Sequence, residues 1–232
     1  MALILSIETS TSILSVALAR DGKVLEFKEV DGRNSHSEYI TLFIEEVLKL
    51  SGVTLNELDA VAVSGGPGSY TGLRIGVSTA KGLCYSKDIP LIAVSTLKSI
   101  AFATADKYKD DEKAVFCPMI DARRMEVYAA LFDNENNEIR EIAADIIDEK
   151  SYLEYLDKSR VVFSGDGAAK CKETIIAENA LFYDEIKTSA RYIAPIAEKC
   201  FNEKKFVDVA YFEPFYLKAY IAGKSKVKGL YD

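Results

Sequence analysis

Tryptophan is absent from these 232 residues and histidine occurs once, as His36. A zinc hydrolase would need several histidines or clustered cysteines, and any Ser/His/Asp or Cys/His machinery would have to pass through His36. That residue stands at the start of a capped helical segment, where a surface or capping role is the common one. The four cysteines, Cys84, Cys117, Cys171 and Cys200, lie far apart and form no C-x-x-C pair, so they read as reduced, mostly buried thiols. The Gly-x-Ser-x-Gly elbow of the hydrolases is missing as well. No catalytic set and no metal site emerge. Long apolar runs are lacking too: nothing approaches the roughly 18 residues of a membrane span, and the opening run 2–7 is short and has no basic flank. The chain is expected to fold in water, in the cytoplasm and away from membranes. Cations are in deficit, 29 Lys and Arg against 36 Asp and Glu, for a net charge of −7. Autonomous binding to nucleic acid is therefore disfavoured, because phosphate affinity comes mainly from Lys and Arg displacing counterions.

What is present is ordinary for a globular chain, with 49% apolar and 28% charged residues. Alternation predicts strands over 3–7, 13–19 and 23–30, with Asp21-Gly22 as the turn between the last two. Ser35-His36-Ser37-Glu38 has capping-box spacing and predicts a helix through about Leu50; Thr54 and Glu57 repeat the device before a short turn. A strand over 60–63 runs into Ser64-Gly65-Gly66-Pro67-Gly68-Ser69, followed by a helix over 71–86 and a strand over 91–94. A second half overlays the first. A shift of 113 residues places Ile7-Glu8 on Ile120-Asp121 and Leu18-Ala19 on Leu131-Phe132, and a shift of 100 places Val61-Ala62-Val63-Ser64-Gly65 on Val161-Val162-Phe163-Ser164-Gly165. The reading is two small related domains, 1–108 and 113–232, joined through the polar stretch 107–113.

Two segments have the chemistry to meet phosphate. Glu8, Thr9, Ser10 and Thr11, with Ser12, put an acid and four hydroxyls in a tight turn, which suits a phosphate and a magnesium ion or simply satisfies the turn backbone. The glycine loop 65–72 feeds a helix N-terminus, where anions bind. No Gly-Lys-Ser/Thr closes that loop, however, and its Gly66-x-Gly68-x-x-x-Gly72 spacing misses the dinucleotide fingerprint by one, so close strand-to-helix packing is the stronger reading. Lys218, Lys224, Lys226 and Lys228 make a basic tail with no acid among them. Such runs are usually solvated, with phosphate contact as the alternative.

The string Ser64-Gly65-Gly66-Pro67-Gly68-Ser69-Tyr70-Thr71-Gly72-Leu73-Arg74-Ile75-Gly76 resembles the signature of the TsaB (YeaZ) family. Ile7-Glu8-Thr9-Ser10, His36-Ser37-Glu38, Ala80-Lys81-Gly82-Leu83 and Gly165-Asp166-Gly167 fall where that family has them. The resemblance is strong over 3–97 and thinner, though collinear, to Lys218. It implies an α/β fold of the duplicated actin, heat-shock ATPase and sugar-kinase type, ribonuclease H-like, with a mixed sheet flanked by helices in each domain. The same segments resemble TsaD, the catalytic paralogue, whose metal-binding His-x-x-x-His pair would fall by similarity on Thr96 and Ile100. Neither ligates as an imidazole does. The resemblance therefore implies a non-catalytic subunit with no cofactor beyond weak nucleotide binding. It would pair with TsaD, work with the ATPase TsaE, self-associate when alone, meet tRNA only within the complex, and so serve threonylcarbamoyl transfer to the adenosine beside the anticodon. A kinase or ATPase of the same fold, with Glu8 and Asp121 facing across a cleft, and a homodimeric scaffold without a tRNA role are the alternatives.

The first helix suggests where a partner binds. At about 100° per residue its apolar side chains spread over roughly 240°, twice the stripe needed to cover its own core. Ile40, Phe43, Ile44 and Val47 are expected to face the sheet, leaving Tyr39, Leu42 and Leu50 toward the partner. Gly72, Gly76 and Ala80, at four-residue spacing on the next helix, are expected to bare a flank for a second helix.

Overall fold

The computed structural model describes residues 2–32, 36–108 and 113–218. The first three strands, β1 (Leu3–Glu8), β2 (Ile13–Arg20) and β3 (Lys23–Asp31), form an antiparallel meander. Asp21 and Gly22 both take positive φ, 53° and 73°, the two-residue loop whose twist matches paired strands. Then follow α1 (His36–Leu50), a single turn at Leu55–Glu57, β4 (Ala60–Ser64), α2 (Tyr70–Lys87), β5 (Leu91–Val94) and α3 (Thr96–Lys107). The Thr54 cap is as expected, its backbone N–H and hydroxyl donating to Glu57 Oε2 at 2.8 and 2.9 Å. Ser35, the expected cap of α1, lies outside the described residues.

The second half repeats the order with β6 (Val115–Asp121), β7 (Glu126–Phe132), β8 (Glu138–Ile146), the one-turn α4 (Leu153–Leu156), β9 (Val161–Ser164), β10 (Ala180–Tyr183) and α5 (Ala190–Asn202). The sheets run β3-β2-β1-β4-β5 and β8-β7-β6-β9-β10. In each, the first three strands are antiparallel and the last two join in parallel. The 113-residue and 100-residue shifts thus carry β1, β2 and β4 onto β6, β7 and β9, and the architecture is the duplicated ribonuclease H-like fold.

The halves differ in their helices. α1 and α2 cover one face of the first sheet, whereas the matching connections of the second half hold only α4 and the turn Ala169–Cys171. The remaining helices are exchanged. α5, which follows β10, packs Ile193, Ile196 and Ala197 on Ile4, Ala62 and Ile92 of the first sheet. α3, which follows β5, packs Leu97, Ile100 and Ala101 on Phe116, Ile120 and Phe132 of the second. The division at 1–108 and 113–232 therefore describes chain order and not packing; 109–112, the middle of the expected linker, lie outside the described residues. Fully burying one such aliphatic side chain contributes about 1.5–3 kcal/mol, so either helix carries an appreciable part of a domain stability of roughly 5–15 kcal/mol. Neither half keeps its core without the other.

Candidate functional site

A cleft of about 1080 Å³ lies between the halves, lined by Ser10, Thr11, Ser69, Asp121, Arg123 and Lys218 among others. Its floor is set by the glycine loop. Ser69 N donates to Ser10 O at 2.6 Å, and the Ser69 hydroxyl caps α2 by accepting from Gly72 N at 3.3 Å. A Cβ on Gly68 would stand 2.4 Å from Ser10 O, and one on Gly72 2.1 Å from Thr9 O. One on Gly76 would stand 2.2 Å from Thr9 Oγ1. These glycines let α2 approach the turn between β1 and β2. The expectation that Gly72, Gly76 and Ala80 bare a flank for another helix is corrected here: all three are buried and face inward. The outward side of α2 carries Arg74, Ser78, Gly82 and Tyr85, and nothing stands within 4 Å of a Cβ on Gly82.

Several polar groups at the cleft are engaged within their own wall. Glu8 and Thr9 are wholly buried behind the turn and do not line the cleft, so Glu8 does not face Asp121 across it. Glu8 Oε1 accepts from Ser10 N at 2.6 Å, while Oε2 has no hydrogen-bond partner among the described residues, and burial pushes the carboxyl above its usual range despite the Ser10 contacts. Thr11 and Ser10 do reach the cleft, but the Thr11 hydroxyl pairs with that of Thr188 at 2.7 Å. Ser10 Oγ is buried and has no hydrogen-bond partner among the described residues. Across the cleft, Lys170 clasps Asp121 and the carbonyls of Arg124 and Glu126, and Asp121 N donates to Asp166 Oδ1 at 3.1 Å. Burial raises the Asp166 carboxyl. Arg123 and Arg124, at the tip of this hairpin, both take positive φ, an uncommon conformation for such residues. His36 is buried rather than at the surface, and burial lowers its imidazolium against hydrogen bonds to the backbone of Ile13 and Thr11. Among the described residues no group of three or more His, Cys, Asp and Glu is placed to hold a metal ion.

Sequence reasoning missed both the Lys170 clasp and a strap at the cleft edge, because the partners are distant in sequence and no local pattern marks them. The strap, 206–218, begins with a bridge between Val207 and Leu91 and continues past Lys81, whose ammonium donates to Ala210 O and Phe212 O at 2.9 and 3.1 Å. Phe215 N then donates to Gly65 O at 2.7 Å, and Gly66, at φ 107°, leaves room for the Phe215 carbonyl. The Tyr216 ring lies 4.9 Å from that of Tyr70, over which the Arg74 guanidinium sits at 4.2 Å. Lys218 finally pairs with Glu126 of the second sheet, so the strap runs from the first sheet to the second.

On α1 the structure buries Ile40, Ile44, Val47 and Leu48 and half-buries Phe43, with Tyr39 5.9 Å from it. Leu42 and Leu50 remain 43% and 60% exposed. Together with the outer side of α2 they make a partly apolar two-helix face.

Two outcomes follow from this packing. Gly72→Ala forces Thr9 or α2 to move and is expected to destabilise by about 1–3 kcal/mol, as overpacking does. Gly82→Ala, where the space is open, is expected to stabilise by about 0.5–1 kcal/mol through helix propensity; urea unfolding of both variants measures the contrast. Glu8 supplies the pH dependence. Its folded pKa lies above the usual 4.5, so its contribution to stability is full below pH 4.5 and is lost as pH rises through the folded value. Glu8→Gln is expected to remove this loss, so that melting of parent and variant coincides near pH 4 and the variant melts higher by pH 8. Parallel melting curves at both pH values would count against a strained buried acid.

Over residues 31–223 the chain matches the family described as "TsaD: tRNA N6-adenosine threonylcarbamoyltransferase". The Escherichia coli K12 protein named tRNA threonylcarbamoyladenosine biosynthesis protein TsaB is 32% identical over 230 residues, covering 95% of this chain and 96% of its own length. Its Bacillus subtilis 168 namesake is 33% identical over 221 residues, 93% of each. A tRNA N6-adenosine threonylcarbamoyltransferase of Clostridium perfringens SM101 is 40% identical over 85 residues, 37% of this chain and 25% of its own. In structure, YeaZ from Pseudomonas aeruginosa shares the fold with a TM-score of 0.81 at 24% identity, over 94% of this chain and 100% of that one. Matched along nearly its whole length by the TsaB relatives and over 31–223 by the broader TsaD family, the chain belongs to the TsaB (YeaZ) family.

Proposed function

We propose that this chain is the non-catalytic partner subunit of a TsaD-type transferase in the making of threonylcarbamoyladenosine on tRNA. The observation that carries the reading is the two-helix face: Leu42 and Leu50 stand exposed beside a sheet already covered by Ile40, Ile44 and Val47. A helix that has satisfied its own core and still presents large aliphatic side chains suits a partner helix. The transferase presents related helices in a related fold, so a bundle between the two is the favoured assembly, with a second copy of this chain taking that place when the transferase is absent. Tyr39, Leu42 and Leu50 of α1 would contribute, joined on α2 by the outward residues Ser78, Gly82 and Tyr85. Absence of its own chemistry fits the positions Thr96 and Ile100, which are fully buried in the packing of α3. TsaE is the second partner in this reading, tRNA is met within the complex, and the setting is the cytoplasm.

The cleft is assigned no more than weak nucleotide affinity, with no resident cofactor. Its Asp121 and Lys170 are spent on one another, Lys218 on Glu126, and Thr11 on Thr188. Charge-assisted bonds are the strong ones in phosphate binding, and here Asp121, Lys170 and Lys218 are already engaged.

Reconstitution of tRNA modification with the transferase and TsaE, with and without this chain, tests the role: activity is expected to require it, and equal activity without it would overturn the reading. Leu42→Asp tests the surface. A charge stranded at an apolar contact is expected to weaken association with the transferase by about 2–4 kcal/mol, roughly 30-fold to 1000-fold, while thermal melting of the chain alone barely changes. Unchanged sedimentation of the complex, or collapse of the isolated chain, would place the interface elsewhere.

A further inference from the structure

We propose that the outer edge of β8 receives an extended segment of another protein, apolar in its middle and cationic at both ends, as a further strand of the second sheet. β8 ends the order β10-β9-β6-β7-β8 and, among the described residues, pairs with β7 alone. Its register with β7 shifts on either side of Leu131, an irregularity of the kind that blunts an edge. From Ala143 to Ile146, however, it pairs one residue for one with Ala129 back to Glu126. Alternate residues of this run therefore turn their main-chain N–H and C=O groups outward in a regular row.

The side chains of the strand state what would fit it. Its middle is apolar, with Ala143, Ala144 and Ile146, the last 77% exposed. Ile146 and Leu153 line a pocket of about 550 Å³ beside the strand. Met125, whose carbonyl accepts from Ile147 N at 2.8 Å, adds another exposed apolar side chain at the same end. A strand laid here would cover these groups while pairing its main chain, the arrangement in which backbone bonds give affinity and alternate side chains give specificity. Acids stand at both ends of the run, Glu138 and Glu141 before it and Asp148 and Glu149 after it, all exposed. Of the two cations in the same stretch, Arg140 is committed to Asp145 through bonds of 2.8 and 2.5 Å, which leaves Lys150 against four carboxylates.

This charge pattern chooses the occupant. A second copy meeting β8 edge to edge would run antiparallel, bringing Glu138 and Glu141 of one chain toward Asp148 and Glu149 of the other, and like charges across a strand pair destabilise it. A nucleic acid would bring phosphates to the same acids. A short apolar run with lysine or arginine at each end satisfies both the middle and the ends. The site lies on the second sheet, whereas α1 and α2 pack on the first, so it is independent of the two-helix face and of the partner assigned to that face.

The test uses the full-length chain and a synthetic heptapeptide in which valine and threonine alternate between two terminal lysines, followed by calorimetry and by residue-resolved hydrogen exchange. One control peptide replaces the lysines with glutamates, and another carries proline at its centre, where a ladder donor is lost. The lysine peptide is expected to slow the outward amides within 141–147 by about tenfold or more, to leave β1 unchanged, and to bind about tenfold more tightly than either control. In the double variant Glu141→Lys, Glu149→Lys the preference between lysine and glutamate peptides is expected to reverse, with thermal melting close to that of the parent because both positions are exposed. The proposal is overturned if the lysine peptide slows no amide of β8, if the proline peptide binds equally well, or if the double variant folds and keeps the parent's preference. It is equally overturned if the outward amides of the free chain already exchange as slowly as those bonded to β7, whether at every concentration, which would mean an edge covered within the chain, or only at high concentration, which would mean a second copy. Displacement of the peptide from β8 by tRNA would make the edge a nucleic-acid contact and would also sink it.

Discussion

The rest of the first half depends on how closely α2 lies against the turn between β1 and β2. Thr9 O stands where a Cβ on residue 72 would be, and the Thr9 hydroxyl where a Cβ on residue 76 would be, so the helix axis can take up this position only with glycine at both. That approach seals Glu8 and Thr9 beneath the turn, fixes Ser69 to cap α2 while bonding Ser10 O, and turns the glycine loop so that the strap can lie on Gly65 and Gly66. A phosphate loop uses glycines to bring backbone amides to a ligand. Here the same device brings one element of the chain to another.

The exchange of α3 and α5 makes the two halves one cooperative body. Each sheet has a face completed by a helix that belongs, in chain order, to the other half, and α3 and α5 also touch. A kinase-like fold that closes on nucleotide needs its halves to hinge. In this chain the hinge is crossed by two helices and again by Lys218 on Glu126, so large rotations would break buried apolar contacts as well as an ion pair.

Much of this was legible from residue patterns. The Asp21-Gly22 turn, the Thr54 cap, the extent of α1 and α2 and the repeat between halves all follow from local rules, because turn geometry, capping and periodicity are set within a few residues. The orientation of α2 did not follow. Four-residue spacing shows that Gly72, Gly76 and Ala80 share a face, but nothing in the spacing tells whether that face meets a foreign helix or the chain's own turn; the neighbour is chosen by the sheet. His36 was misplaced for a related reason, since a capping position reads as exposed until the turn at Thr11 folds over it. The Lys170 clasp and the strap join residues from 44 to 150 positions apart, beyond the reach of any window.

The two halves close the outer faces of their sheets by different means. In the first half two long helices, α1 and α2, hold the outer face of the sheet and leave aliphatic side chains to spare. In the second, a single helical turn and a 3-10 turn fill the same connections, and the outer face is closed by side chains instead: Tyr152, itself at φ 64°, donates to Asp145 Oδ2 at 2.7 Å while the Arg140 guanidinium lies 5.7 Å from its ring. Tyr152 also packs on Phe163 and Cys117 in that core, and burial raises the Cys117 thiol far above its ordinary value. Both sheets are nonetheless needed, because each supplies the face on which the other half's helix packs.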